Sequence, residues 1–314
     1  MQEFVPLKKP INKAEIEAYL KQIGFTKAVF HNVSNEKVYK GLSDGRSAEK
    51  DTICFIDKEP SEAKTAKLEG TLVITTTTLF QSFPKVEAIC TEDPRELFIK
   101  LIDFFDKHLL CEPFTSRIVV HPPLIHKEAI IHEDAIIEEG VSIGKESIIS
   151  AGSVLKKGTV IGEHCIVREN CTIGCSGIAL YKTYQGETLR FPHLAGVHIG
   201  NNVEIGAGTV IVRGTLLNTA ISNDCVIGNQ CNIGHGVKIG KKVWMSVGSL
   251  IGGNCNIGDN TTIGLGVRVR DNLKIGKGVS IGMGSVVTKN LPSGISVFGN
   301  PAKELRNLTT GPNR

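Results

Sequence analysis

The chain has 314 residues, a net charge of +4, 41% hydrophobic but only 5% aromatic residues, and 34 glycines. That length allows one large or two modest domains, and the charge is too mild and too dispersed for a nucleic-acid binder. Scarce aromatics with abundant glycine argue against a conventional layered core, and no apolar run approaches the length of a membrane span.

The opening stretch MQEFVPLKKP lacks the apolar segment of a secretion signal. A cytoplasmic protein without membrane insertion is expected. Residues 1–112 read as a small α/β domain. INKAEIEAYLKQIGF (11–25) starts a helix, with Asn12 as N-cap and Glu15 at the capping-box position. TICFI (52–56) and TLVITTTT (71–78) read as strands. DPRELFIKLIDFFDKHLL (93–110) reads as a helix capped by Asp93, with Pro94 first and Glu96 third. Most of the aromatics lie here. The domain either only packs, or recognises substrate, or spaces a trimer.

From Ile125 the pattern changes. An aliphatic recurs every sixth residue through Ile131, Ile137, Ile143, Ile149, Leu155, Ile161, Val167 and Ile173. It resumes at Ile199, Ile205, Ile211 and Leu217, slips by two at Ile221, and continues to Val287. Four residues after each comes a small or β-branched residue, such as Ser147, Ser153, Thr159, Cys165, Cys171, Cys225, Cys231 and Cys255. A period of six does not suit a helix. It is a multiple of two, so short strands repeat their inward face every six residues. Three hexads make an 18-residue coil, and stacked coils form a triangular parallel β-helix with strands about 4.8 Å apart. Residues 113–298 therefore read as a β-helix domain, the fold as mainly β, and 299–314 as a C-terminal tail. Five of the nine cysteines occupy the small inward slot, where a free thiol packs as a small hydrophobe. Cys231 should then face the core and is a poor nucleophile.

The stretch GCSGIALYKTYQGETLRFPHLAGVH (174–198) interrupts the repeat. Insertions in repeat proteins emerge as loops, often on a binding face. Tyr181, Tyr184, Phe191 and His193 are candidate substrate contacts. The alternative is a loop that only covers an edge of its own subunit.

In CNIGHGVKIG (231–240), His235 lies two residues past the inward Ile233 and should point outward. An imidazole with an ordinary pKa near 6.5 can take a proton from an attacking amine at neutral pH. Gly253 follows by 18 residues, directly above it on the next coil, with no side chain to block a thioester and an amide available for the oxyanion. Asn229, six residues before His235, is a candidate substrate contact. Asp271, two coils on, is a weak candidate to orient the imidazole.

These features resemble the hexapeptide-repeat acyltransferases, which implies a left-handed β-helix, an exception to right-handed crossovers, and a homotrimer with active sites between subunits. The arrangement is similar to one subgroup across nearly the whole chain, the UDP-3-O-acylglucosamine N-acyltransferases of lipid A synthesis. VHIGNNVEIGAGTVIVRGTLLNTAI (197–221), GNQCNIGHGVKIG (228–240) and FPHLAG (191–196) carry that similarity, which places the family's general base on His235. The departures are Gly228 before Asn229, Gly236 after His235, Asn272 where that family has a second histidine, and no tyrosine in FIDKEPSEAKTAK (55–67). The residues after Pro301 are expected to be too few for that family's helical extension. GNPAK (299–303) instead resembles acetyl-CoA-dependent members that acetylate nucleotide-linked amino sugars.

The expectation is an N-acyltransferase using acetyl-CoA or another short acyl-CoA as co-substrate, without a metal. Its acceptor is a nucleotide-linked amino sugar, and the amine attacks the thioester directly. The alternative is the lipid A enzyme with acyl carrier protein as donor. Gly253, Gly264 and Gly266 would line the pantetheine, and Arg268, Arg270, Lys274 and Lys289 would meet the CoA phosphates. Two rivals stay open. One is a zinc lyase using His193, His198 and His235; the other is a scaffold without catalysis.

Overall fold

A computed structural model describes residues 4–45, 48–59, 66–108 and 123–304. The chain divides into two compact units. The first comprises Met1–Phe114, Ile178–Ala195 and Thr215–Leu217; the second comprises Thr115–Gly177, Gly196–Gly214 and Asn218–Arg314. Residues 109–112 of the expected N-terminal domain and 305–314 of the expected tail lie outside the described residues.

The first unit is α/β. Its elements are β1 (Phe4–Asn12), α1 (Lys13–Gln22), β2 (Val29–His31), β3 (Val38–Ser43), β4 (Thr52–Phe55), β5 (Leu72–Thr75), α2 (Thr77–Phe80), β6 (Glu87–Cys90) and α3 (Pro94–Lys107). The sheet order is β1-β3-β4-β5-β6-β2, with β3 to β6 parallel and an antiparallel strand on each side. The caps form as the sequence dictates. Asn12 accepts from the Glu15 amide (3.1 Å), and the Glu15 carboxylate accepts from the Asn12 amide (3.0 Å). Asp93 accepts from the Glu96 amide (3.0 Å), with Pro94 in the first helical turn. The threonine run does not continue β5. Thr76 has extended backbone, and its hydroxyl accepts from the Leu79 amide to start α2, since a short hydroxyl side chain competes for backbone groups.

The core of this unit is built from Val5, Ile16, Leu20, Tyr39, Ile53, Ile74, Ile89, Leu97, Phe98 and Phe105. Two segments from the middle of the chain complete it. Leu194 at the exit of the insertion and Leu216 are both buried in the same cluster. Leu217 is therefore no hexad position. The equivalent inward residues are Ile199 and Ile221, paired across adjacent coils, and the repeat carries a four-residue insertion at 214–217 rather than a two-residue slip. Two adjacent leucines in that insertion imitate the aliphatic of the period.

The second unit is mainly β, a parallel β-helix of hexapeptide repeats. Short strands alternate with corners and stack into three sheets of eight, ten and eight strands, parallel except for the last strand of the second. On the first face the outward residues run Ser142, Val160, His198, Ala220, Lys238, Asn256, Lys274. On the second they include Val226, Trp244, Thr262 and Ser280. On the third they run Val154, Thr172, Val210, Asn232, Leu250, Arg268, Val286. The aliphatics Ile143 to Val287 fill the interior. Part of the expected tail folds back, with Lys303–Glu304 pairing antiparallel to Ser296–Phe298.

The small inward slot does more than fill space. Ser147, Ser153, Ser249 and Thr261 donate to carbonyls of the next coil's corners at 2.7–3.0 Å. Cys165, Cys171, Cys225, Cys231 and Cys255 place their thiols 3.0–3.2 Å from equivalent carbonyls. A corner carbonyl buried by stacking needs a donor, and at these coils Ser, Thr or Cys supplies it, whereas Val141, Val237, Val243, Val267 and Val279 occupy the same slot at others. Burial raises these thiols above their ordinary pKa, which keeps them protonated donors. Cys231 faces the core, as the period predicts.

Each coil's stability depends on its neighbours. Ile263 is fully buried in the prism. Ile263→Ala is expected to cost about 2–5 kcal/mol, read as a lower denaturation midpoint in urea.

Candidate active site

The three edges of the prism carry different chemistry. The edge between the first and second faces is polar, with Lys241, Lys242, Asp259, Asn260 and Lys277 at its corners and a Lys277–Asp259 ion pair at 2.8 Å. The edge between the second and third faces is apolar in its later coils. Val247, Leu265 and Met283 stack there and are 41%, 50% and 63% exposed. The edge between the third and first faces carries His235.

Register fixes what stacks on His235. Asn232 pairs with Leu250, which pairs with Arg268, which pairs with Val286. The corner residues two to three positions on are therefore His235, Gly253, Asp271 and Lys289, each on the coil above the last. Asn254 and Asn272 form a parallel column, their carboxamides 3.3 Å apart. The Asn254 amide donates to the His235 carbonyl (2.7 Å), and the Asn272 amide to the Gly253 carbonyl (2.8 Å). Gly236 turns the corner at φ +66°, where a side chain is strained, and its amide donates to the Thr219 hydroxyl (2.9 Å).

His235 is half-buried. Its ring lies flat against Gly253. A Cβ built on Gly253 would stand 2.6 Å from Nε2, 2.7 Å from Cε1 and 3.0 Å from Cδ2. The glycine is thus the surface on which the imidazole rests, as well as an open approach. The imidazole's Nδ1 is buried. The flanking amides of Gly252 and Asn254 donate to the carbonyls of Val269 and His235, while the Gly253 amide stands outside that ladder.

Of the expected phosphate contacts, Arg270 and Lys289 stand on this same edge, two and three coils from His235, and both are exposed. Arg268 and Lys274 lie on the adjoining third and first faces, also exposed. Asp271 lies beside Asn272, whose carboxamide donates to it.

Gly264 and Gly266 occupy the edge between the second and third faces, not the His235 edge. So does Asn229. Its carboxamide oxygen accepts from the Ala207 amide (2.9 Å), as Asn201, Asn223 and Asp259 do for the amides of Glu163, Asn201 and Lys241. Asn229 therefore staples two coils. Within one chain it is not brought together with His235, because a six-residue step moves to the next edge rather than to the next coil.

The insertion residues belong to the first unit. Leu180–Lys182 and Thr188–Arg190 form an antiparallel hairpin. The Tyr181 hydroxyl donates to the Asp93 carboxylate (2.9 Å), and the Arg95 guanidinium lies 5.1 Å from the Tyr181 ring centroid. Burial and the hydrogen bond to Asp93 push Tyr181 up to about 12. Phe191 packs on Phe98 at 6.2 Å between ring centroids, and Lys100 of α3 bonds Glu187 at 2.9 Å. Tyr181 and Phe191 thus take part in packing the hairpin on α3, whereas Tyr184 is 77% exposed. His193 is half-buried at the hairpin exit in the same unit. His198 lies outward on the first face of the helix, where burial lowers its pKa and favours the neutral form. Among the described residues, no three His, Cys, Asp or Glu side chains converge into a metal-binding group.

Sequence reasoning missed Arg213. Val210 pairs with Asn232 and Ile211 with Ile233, so Arg213 is the corner residue one coil below His235. The insertion at 214–217 stretches the step from 18 to 22 residues and hides the correspondence.

Comparison with known proteins bears on the class. The family model of the bacterial transferase hexapeptide (six repeats) matches residues 254–289, and that of the hexapeptide repeat of succinyl-transferase matches 133–157 and 194–213. Among solved structures, the chain is similar to UDP-N-acetylglucosamine acyltransferase from Francisella novicida, with 26% identity over 58% of this chain and 67% of that one, at a TM-score of 0.48. It is similar to the Campylobacter jejuni enzyme of the same name, with 24% identity over 58% and 73%, at 0.48. It is also similar to the acetyltransferase domain of PglB from Neisseria gonorrhoeae, with 18% identity over 75% and 71%, at 0.23. No curated protein matches. The matched transferase repeats lie on a helix built from the same six-residue period, so the chain carries hexapeptide repeats of the kind found in bacterial transferases.

Proposed function

We propose that the protein transfers a short acyl group, acetyl in the simplest case, from acyl-CoA to the amine of a nucleotide-linked amino sugar. The observation that carries this reading is the His235 ring resting on Gly253, on an edge that continues through the exposed cations Arg270 and Lys289. Stacked coils are about 4.8 Å apart, so those cations lie within reach of the phosphates of a CoA laid along the edge. The amine attacks the thioester carbonyl and the imidazole accepts the proton that the nitrogen loses. The Gly253 amide donates to the oxyanion of the tetrahedral intermediate. Collapse expels the CoA thiolate, which regains a proton from the imidazolium.

In this reading the active assembly is a cytoplasmic homotrimer. The exposed ridge of Val247, Leu265 and Met283, with Trp244 60% exposed on the adjoining face, supports contact between copies. That contact would bring Gly264 and Gly266 of one copy toward the His235 edge of another.

One observation favours the acyl-carrier-protein alternative, which is the separate α/β unit completed by the inserted hairpin, the arrangement noted for the lipid A enzymes. A donor panel tests both. The protein is incubated with amino-sugar nucleotides and either acetyl-CoA or acyl carrier protein bearing a 3-hydroxyacyl chain, and products are weighed by mass spectrometry. An acetyl gain on one sugar is expected. A long-chain gain that requires the carrier protein would replace this reading with the alternative.

A further inference from the structure

We infer that Thr219 is the positioning residue of His235, its hydroxyl standing in for a backbone acceptor where the insertion at 214–217 interrupts the ladder of corner hydrogen bonds; its bearing on turnover rests on the acyl-transfer reading. Corners along the helix share one backbone rule. The amide of the residue that turns the corner donates to the carbonyl of the coil below, one position earlier. Gly248 donates to Asn229 (2.9 Å), Asn254 to His235 (2.7 Å), Gly266 to Val247 (3.0 Å) and Asn272 to Gly253 (2.8 Å). For Gly236 the equivalent position below is Arg213, since Ile211 pairs with Ile233. The insertion begins at the very next residue, and the Gly236 amide donates to the Thr219 hydroxyl at 2.9 Å.

Thr219 departs from its own pattern as well. It is fully buried in the small inward slot. From that slot Ser249 and Thr261 donate to carbonyls 15 residues on, those of Gly264 and Gly276. The Thr219 hydroxyl instead donates within its own coil, to the Val212 carbonyl at 2.6 Å. A hydroxyl has one proton to give and lone pairs to accept with, so giving the proton to Val212 leaves the oxygen to receive the Gly236 amide. Thr219 is itself held in place. The Gly196 carbonyl accepts from the amides of Gly214 and Thr219, both at 3.2 Å, and the Gly196 amide donates to the Asn218 carboxamide oxygen at 2.8 Å. A β-branched side chain adds stiffness about its first torsion.

The consequence falls on one peptide group, that between His235 and Gly236. Its carbonyl is held from above by the Asn254 amide, and its N–H from below by Thr219. Gly236, at φ +66°, adds little restraint of its own, because glycine turns freely. With both ends of the peptide bonded, the backbone of His235 is fixed and the ring is delivered onto Gly253. Removing the hydroxyl releases the amide end, the peptide rotates, and the imidazole leaves its seat. Thr219 acts through the backbone and does not touch the reacting atoms.

The test compares Thr219→Val, Thr219→Ser and Thr261→Val with wild type. Valine fits the slot, as Val237 and Val243 do. Should Thr219→Val fail to fold, Thr219→Cys replaces it, since Cys225 and Cys231 also fill the slot and a thiol is a weak acceptor. Steady-state kinetics are read beside the histidine Cε1–H resonances of isotope-labelled protein, the His235 signal being assigned by its loss in His235→Ala. Thr219→Val is expected to shift the His235 resonance and to lower kcat by about tenfold to a hundredfold, with KM for both substrates within about twofold. Thr219→Ser keeps the hydroxyl and is expected to restore both readouts. Thr261→Val removes an ordinary slot hydroxyl and is expected to lower the denaturation midpoint in urea while moving neither. An unmoved His235 resonance, an unchanged kcat in an active protein, an equal change in Thr261→Val, or no rescue by serine would overturn the assignment. The resonance decides the seat of the ring by itself, so a shifted signal in a protein whose wild type transfers no acyl group would reject the acyl-transfer reading and leave the positioning role standing.

Discussion

His235→Ala is expected to lower kcat by about 10²–10⁴-fold, the usual contribution of a general acid–base, with the fold intact. The fold should survive because the ring contributes little to the prism. It rests on the outside of a corner, half-buried, while the interior at that level is made by Ile233, Cys231 and Val237. The backbone bond from the Asn254 amide to the His235 carbonyl does not need the side chain. KM for both substrates should change little, since the proposed phosphate contacts lie one or more coils away. Purified variant and wild type are compared by steady-state kinetics with acetyl-CoA, and by thermal melting. A variant with unchanged kcat would remove His235 from the reaction, and the acid–base role would then have to be sought elsewhere on the edge.

Gly253→Ala should cost almost as much, for a different reason. Gly253 does not have the positive φ that makes corners such as Gly236 intolerant of side chains. Its backbone accepts alanine. The obstacle is the neighbour, because a Cβ would sit 2.6 Å from His235 Nε2, closer than any real carbon contact. Either the imidazole swings off the edge or the coil yields, and the swing is the cheaper movement for a half-exposed ring. A displacement of about 1 Å at a reacting group can cost about 10²-fold, so kcat is expected to fall by about that factor with melting unchanged. The double variant decides the mechanism. If Gly253→Ala acts by moving the imidazole, then adding it to His235→Ala should lower activity little further, because the two changes remove the same interaction. Full additivity would show that Gly253 acts through its own amide or through the donor instead.

Much of the fold was legible before any coordinates. A six-residue period leaves few ways to bury its aliphatics, and inward residues must recur at a fixed step because side chains alternate across a strand. The small slot was legible as well, but its purpose was not. Only the stacked coils show that each Ser, Thr or Cys meets a corner carbonyl, so thiols first read as filler prove to be donors. The helix caps at Asn12 and Asp93 are local and could be read directly, whereas the threonines at 76–78 were misjudged as strand, because a strand and an N-cap compete there.

For the site, periodicity alone determined that His235 points outward and that Gly253 stands on it, since both follow from one 18-residue step. The sequence reading groups Arg270 and Lys289 with Arg268 and Lys274, and the strand register separates the first two onto the His235 edge from the other two on the adjoining faces. What periodicity could not determine were relations across an irregular step or between distant segments. Arg213 joins the column only once the insertion at 214–217 is seen to leave the helix and bury Leu216 in the α/β unit. Asn229 falls on another edge because strands turn a corner every six residues, and its carboxamide is engaged by Ala207. Tyr181 and Phe191 look like exposed loop aromatics in one dimension, yet Asp93 and Phe98, far away in sequence, take them into packing. Short-range periodic order is written in the sequence because neighbouring residues enforce it. Which distant groups meet was decided only by tertiary structure, since that depends on how the irregular segments fold back.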